Sequence, residues 1–125
     1  MSDEFEQTVR VSTTKTFLPT TMVRRDIFSQ IKGPGAPQTI VIQHDETIMG
    51  RSQDATVRFY STRVSRKHVV LTHSGPDLIC TDLDSHNGLF LNGIKVHSCA
   101  LRDGDTIQIG DIVLMFHQGV QWASM

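Results

Sequence analysis

The chain is short of cysteine, of long apolar runs and of net charge, and each shortage removes a class of protein. Two cysteines in 125 residues, Cys80 and Cys99, are too few for a disulfide scaffold and lack the paired spacing of a structural zinc site. Both read as reduced thiols. The histidines do not repair this: His97 and Cys99 are the nearest metal-binding pair and have no partners close in sequence, so neither a metal nor a cofactor is expected. No apolar run approaches the roughly 20 residues of a spanning helix, and the N-terminal region lacks the apolar stretch of a secretory signal. The expectation is a soluble cytoplasmic chain without a membrane partner, with the nucleus an open alternative if the source is eukaryotic. A formal net charge of −1 argues against nucleic acid as a partner.

What is present is enough apolar residue, 38% of the chain, to build one core at this length. The balanced charge also hides a segregation. Between positions 51 and 67 stand Arg51, Arg58, Arg63, Arg66 and Lys67 against Asp54 alone, a local +4, which suits an anionic ligand. Residues 8–21 hold six threonines and Ser12, seven hydroxyl side chains in fourteen positions, with no apolar period. Together with the acidic start at Asp3, Glu4 and Glu6, this marks residues 1–24 as a flexible threonine-rich arm.

From Asp26 onward, short apolar runs alternate with turn residues at the spacing of an all-β protein. The runs lie at 27–28, 39–43, 47–49, 56–59, 68–72, 78–81, 89–91, 106–109 and 112–116. Between them fall Gly and Pro at 33–37, Gly75 and Pro76, Asn92 and Gly93, Gly104, and Gly110. Asn-Gly between two strands is the strongest of these hairpin signals. Partial alternation, as in Ile107 and Ile109 against Thr106 and Gln108, gives an inward and an outward face. The fold expected is a two-sheet antiparallel β-sandwich, occupying 25–118 with a short tail at 119–125.

Three polar clusters begin or end these strands: Gly50, Arg51 and Ser52; Ser65, Arg66, Lys67 and His68; and Ser85, His86, Asn87 and Gly88, with Asn92 and Gly93 just beyond. A guanidinium, a hydroxyl, further cations and an amide at the loop end of a sandwich can hold a phosphate and clamp a peptide. The ordered set Gly50-Arg51, Ser65-x-x-His68, Asn87-Gly88 and Asn92-Gly93 resembles the forkhead-associated (FHA) domain family over about residues 26–118, and residues 28–38 look like that family's opening hairpin. The resemblance implies a sandwich of about eleven strands that recognises phosphothreonine peptides and catalyses nothing. It implies that Arg51 and Ser65 hold the phosphate with a further contact from Arg66 or Lys67, and that Asn87 clamps the peptide main chain. It also implies that His68 is buried and braces the loops, while Gly50, Gly88 and Gly93 permit tight turns and Asn92 stabilises the last. His86 departs from the pattern, standing where the family usually has threonine or serine. Protonated, it would add another cation to the phosphate group.

The partner expected is therefore a phosphothreonine-containing protein, the substrate of a kinase. The alternative is a phosphate-independent interaction or self-assembly domain on the same fold. Ser65 and His68 do not read as a hydrolase dyad, because no nucleophile elbow surrounds the serine. The arm carries candidate phosphoacceptors, Thr8 and Thr14 foremost. Once modified, these could occupy the chain's own site or that of a second copy.

Overall fold

The computed structural model describes residues 20–124, with side-chain environments from 25 to 119. Eleven strands and no helix lie among the described residues. In chain order they are β1 Thr20–Lys32, β2 Gln38–Ile42, β3 Glu46–Gly50, β4 Val57–Arg58, β5 Val69–Ser74, β6 Asp77–Asp82, β7 Leu89–Leu91, β8 Ile94–Val96, β9 Ser98–Ala100, β10 Thr106–Ile109 and β11 Ile112–Ser124. They form two sheets, β9-β6-β5-β3-β4 and β2-β1-β11-β10-β7-β8. Arg25–Gly119 pack as one unit.

The boundaries expected at 24 and 118 fall inside strands. β1 already runs from Thr20, and β11 continues through the supposed tail to Ser124. Thr8 and Thr14 lie outside the described residues. A second difference concerns strand direction. β4 lies parallel to β3, with Met49 beside Val57 and Gly50 beside Arg58, so one sheet is mixed rather than antiparallel throughout. The loop between them doubles back and lets two residues of β4 close that sheet's edge.

The period-2 pattern places the core. In β10, Ile107 and Ile109 are fully buried, and in β11 so are Ile112, Leu114 and Phe116. These oppose Met49, Leu71, Leu78 and Cys80 from the other sheet in one cluster, as facing sheets require. Phe28 of β1 meets Phe116 of β11 with ring centroids 5.2 Å apart, tilted by 48°, a favoured aromatic geometry. Asn92 and Gly93 form the two-residue turn between β7 and β8, both at positive φ (48° and 86°), as a type I′ hairpin demands.

At the end of the sandwich where β3 stops, five connections meet: the β1–β2 turn at 33–37, the β3–β4 loop at 51–56, the long β4–β5 loop at 59–68, the β6–β7 loop at 83–88 and the β10–β11 turn at Gly110 and Asp111.

Candidate functional site

The site is built around the close approach of two backbones. Gly50 ends β3 beneath the β4–β5 loop, and a Cβ there would stand 2.1 Å from the Arg66 carbonyl oxygen. Glycine is needed here for space rather than for a turn, a reason different from the one its sequence context suggests. Two backbone hydrogen bonds follow from that contact: Arg51 N donates to Ser65 O and Ser52 N to Arg66 O, both at 3.0 Å. The two clusters at 50–52 and 65–68 are thus zipped together.

Each polar side chain is then fixed by a bond that leaves other atoms free. Arg51, half-buried, spends its Nε on the Val64 carbonyl at 3.1 Å, which orients the guanidinium and leaves both Nη groups as donors. Ser65 Oγ accepts the His86 backbone N–H at 2.9 Å, so its own hydrogen remains to be donated. Asn87 Nδ2 donates to the Arg63 carbonyl at 2.7 Å. One amide hydrogen and the amide oxygen of Asn87 are what remain for a ligand. Arg66, Lys67 and His86 are exposed, their charges or ring edges turned to solvent.

His68 carries no such free atom. It is fully buried; its Nδ1 accepts the Ser65 N–H at 3.0 Å and its Nε2 lies 2.8 Å from the Gly88 carbonyl. Since Nδ1 accepts, Nε2 must donate, and the ring is held as the neutral Nε2–H tautomer. His68 therefore joins the β4–β5 loop to the β6–β7 loop through the core. It bonds the serine's backbone, not its hydroxyl, so no Ser–His nucleophile pair forms.

The β6–β7 loop is rigid for local reasons. Ser85 Oγ donates to Asp82 Oδ1 and accepts from Gly88 N at 2.9 Å. Asp84 and Gly88 take positive φ, 54° and 84°. Asn92 acts further out, its Oδ1 accepting Thr106 N at 2.9 Å and its Nδ2 donating to Asp105 at 3.1 Å.

Three supporting residues were not singled out from sequence: Ser61, Gly110 and Asp111. Buried Ser61 donates its hydroxyl to Asp111 Oδ1 at 2.6 Å and accepts Arg63 N at 3.2 Å. A Cβ on Gly110 would lie 2.5 Å from the Arg63 carbonyl. The β10–β11 turn thus anchors the basic loop from beneath. The Gly-Asp pair was visible as a turn, but nothing in the sequence says which loop it meets. Among the described residues, no three metal-ligating side chains come together. No helix there is long and apolar enough to cross a membrane.

Two packed sheets that lift a cluster of cations, a hydroxyl and an amide onto the loops of one end define a β-sandwich with its polar residues gathered at one edge. Residues 47–110 match the family described as FHA domain, and the chain belongs to that family. It is 35% identical over 85 residues to the FHA domain-containing protein FhaA of Mycobacterium tuberculosis, covering 66% of this chain and 16% of FhaA. It is 32% identical over 88 residues to the oxoglutarate dehydrogenase inhibitor of Corynebacterium jeikeium, covering 70% and 61% respectively. The chain therefore spans less than two thirds of either relative. A solved FHA domain from a study of phosphothreonine-dependent FHA interactions superposes with a TM-score of 0.70 at 29% identity, over 76% of this chain and 97% of that one.

Proposed function

We propose that the chain is a non-catalytic module that binds a phosphothreonine segment of a protein partner at the loops carrying residues 51, 65–67, 86 and 87. One observation carries this reading. Arg51 and Ser65 are each oriented by a backbone hydrogen bond, yet each keeps unspent donors, in loops joined by Arg51 N to Ser65 O. Donors preorganised in this way, beside Arg66 and Lys67, match a dianionic group with several acceptor oxygens. The phosphate carries roughly −1.5 to −2 charges at neutral pH, and the +4 segment complements it. Asn87 Oδ1 and its remaining N–H suit the backbone of an extended peptide, while His68 and the glycines hold the loops.

Titration calorimetry with one peptide in phosphothreonine and unmodified forms tests the reading. Binding of the phosphorylated form alone is expected. Equal binding of both would instead support a phosphate-independent interaction module.

The threonine-rich arm gives the same site a regulatory ligand. A phosphorylated Thr8 or Thr14 on the same chain would compete at an effective concentration in about the millimolar range, enough to fill a micromolar site and exclude outside partners. Phosphorylating the chain and comparing amide shifts at Arg51, Ser65 and Asn87 with those caused by added phosphopeptide tests this. Unchanged shifts and undiminished affinity for the external peptide would reject it, and concentration-dependent shifts would indicate association between copies.

A further inference from the structure

The outward face of the six-stranded sheet departs from the rule that an antiparallel sheet turns polar residues to water. Alternation sends Phe28, Ile107, Ile109, Leu114 and Phe116 into the core, so the residues between them point out. Six of the outward side chains are apolar: Ile27, Ile31, Val41, Phe90, Val113 and Met115. Ile31 is 49% and Val41 37% exposed, and the other four are half-buried.

Strand pairing joins them into one surface. Val41 stands beside Ile27. Val113, Gln108, Phe90 and Lys95 stand side by side across β11, β10, β7 and β8, and Met115 stands beside Thr106. β1 lies along β11 with Phe28 against Phe116 and Gly33 against Ile112, which brings Ile31 into the row of Val113. Among the described residues, no carboxylate occupies an outward position of these strands, and the cations Arg25 and Lys95 stand at opposite corners. The five-stranded sheet differs, with Glu46 and Asp77 among its outward residues. Phenylalanine and methionine without acidic neighbours are the composition of an interface core, and a continuous apolar surface of this kind marks an interaction site.

We propose that this face binds its counterpart on a second copy of the chain, giving a twofold dimer in which two six-stranded sheets pack face to face. Strand order and charge both single out this occupant. The order β2-β1-β11-β10-β7-β8 has its midline between β11 and β10. A twofold axis along that midline sets β1 against β7, β11 against β10 and β2 against β8. Ile31 of one copy then meets Phe90 of the other, and Val113 meets Gln108. Lys95 comes to lie over β2, whose residues Gln38–Ile42 carry no charge, so it meets neither its own counterpart nor Arg25. The contact thus buries apolar groups from both copies without bringing like charges together. Six strands with about five residues along each cover roughly 29 Å by 17 Å, on the order of 500 Å² from each copy and 1,000 Å² in all, the lower limit for a specific association. The dimer expected is weak, with a dissociation constant of about 0.1 mM. Because the axis runs along the strands, the loop ends of the two copies face the same way and stay uncovered.

Sedimentation equilibrium of the unphosphorylated chain from about 10 µM to 1 mM, a range that brackets that constant, tests the proposal with Ile31→Lys, Gln108→Lys and Arg51→Ala alongside. Wild type and Arg51→Ala are expected to dimerise equally. Ile31→Lys and Gln108→Lys change exposed positions and so cost the fold little; both should weaken the dimer at least tenfold, with thermal midpoint and phosphopeptide affinity unchanged. On dilution of wild type, amide shifts at Ile31, Phe90 and Val113 should move while those at Arg51 and Ser65 stay still. A wild type that is monomeric at the top of the range, or a dimer that survives both lysine substitutions, would overturn the proposal. Loss of the dimer in Arg51→Ala would place association at the loop end and overturn it as well. None of these outcomes bears on phosphate binding, which calorimetry with the two peptide forms decides separately.

Discussion

In the proposed site, Arg51 is left available to a ligand while His68 serves the scaffold. Arg51 commits a single nitrogen to Val64 O and holds the rest of its guanidinium ready. Arg51→Ala is therefore expected to leave the thermal midpoint nearly unchanged and to weaken phosphopeptide binding by about 2–5 kcal/mol, roughly 30-fold to several thousand-fold. Calorimetry with the midpoint checked alongside measures both, and tight binding by a folded variant would remove Arg51 from the site. His68 behaves oppositely, since both its nitrogens serve buried backbone groups. His68→Ala leaves a cavity with an unpaired N–H and carbonyl, and should destabilise the fold by about 2–4 kcal/mol in urea unfolding. A variant as stable as wild type would show that the loops do not depend on this ring.

Among the elements, the end of β3 tolerates least. The atoms nearest a Cβ on Gly50 are the Arg66 carbonyl carbon and oxygen and the Lys67 Cα, all backbone, so no side-chain rotation can relieve the clash. Gly50→Ala must pull the two loops apart, breaking the bonds from Arg51 N and Ser52 N. A cost of about 1–3 kcal/mol is expected from overpacking, with phosphopeptide affinity lost along with it. Gly93→Ala serves as the contrast, because nothing lies within 4 Å of a Cβ there. Its penalty is confined to the positive φ of the turn and should leave affinity intact. Equal affinity in the two variants would show that loop spacing at Gly50 is not what positions Arg51 and Ser65.

Across the whole molecule, the sandwich buries Cys80 between its sheets, directly opposite Cys99 of the edge strand β9. Burial, then the neighbouring Cys99 and Asp82, push the Cys80 thiol far above its ordinary range, and burial with Asp105 raises Cys99 as well. The folded state therefore keeps these protons where the unfolded chain gives them up. Stability from this source is complete below the ordinary thiol value of about 8.5 and declines as pH rises beyond it. Urea midpoints at pH 7, 9 and 10 should fall in that order. A disulfide-exchange reagent at pH 8 should fail to titrate Cys80 until the protein is unfolded, and rapid reaction of both native thiols would contradict the burial.

The sequence alone determined the all-β class and which polar residues stand in the loops of the proposed site, because both rest on local rules: two-residue alternation, Gly and Asn at turns, and polar clusters where strands end. It hid β8 and β9, which are three-residue edge strands with mostly exposed positions, where no buried face imposes a period. The parallel placement of β4, the extension of β1 and β11 past the expected boundaries, and the space requirement at Gly50 were equally hidden. So was the support of the basic loop by Ser61, Gly110 and Asp111. Most of these join segments well apart in the chain, and what such residues meet is decided by how the two sheets stack, which local pattern does not encode.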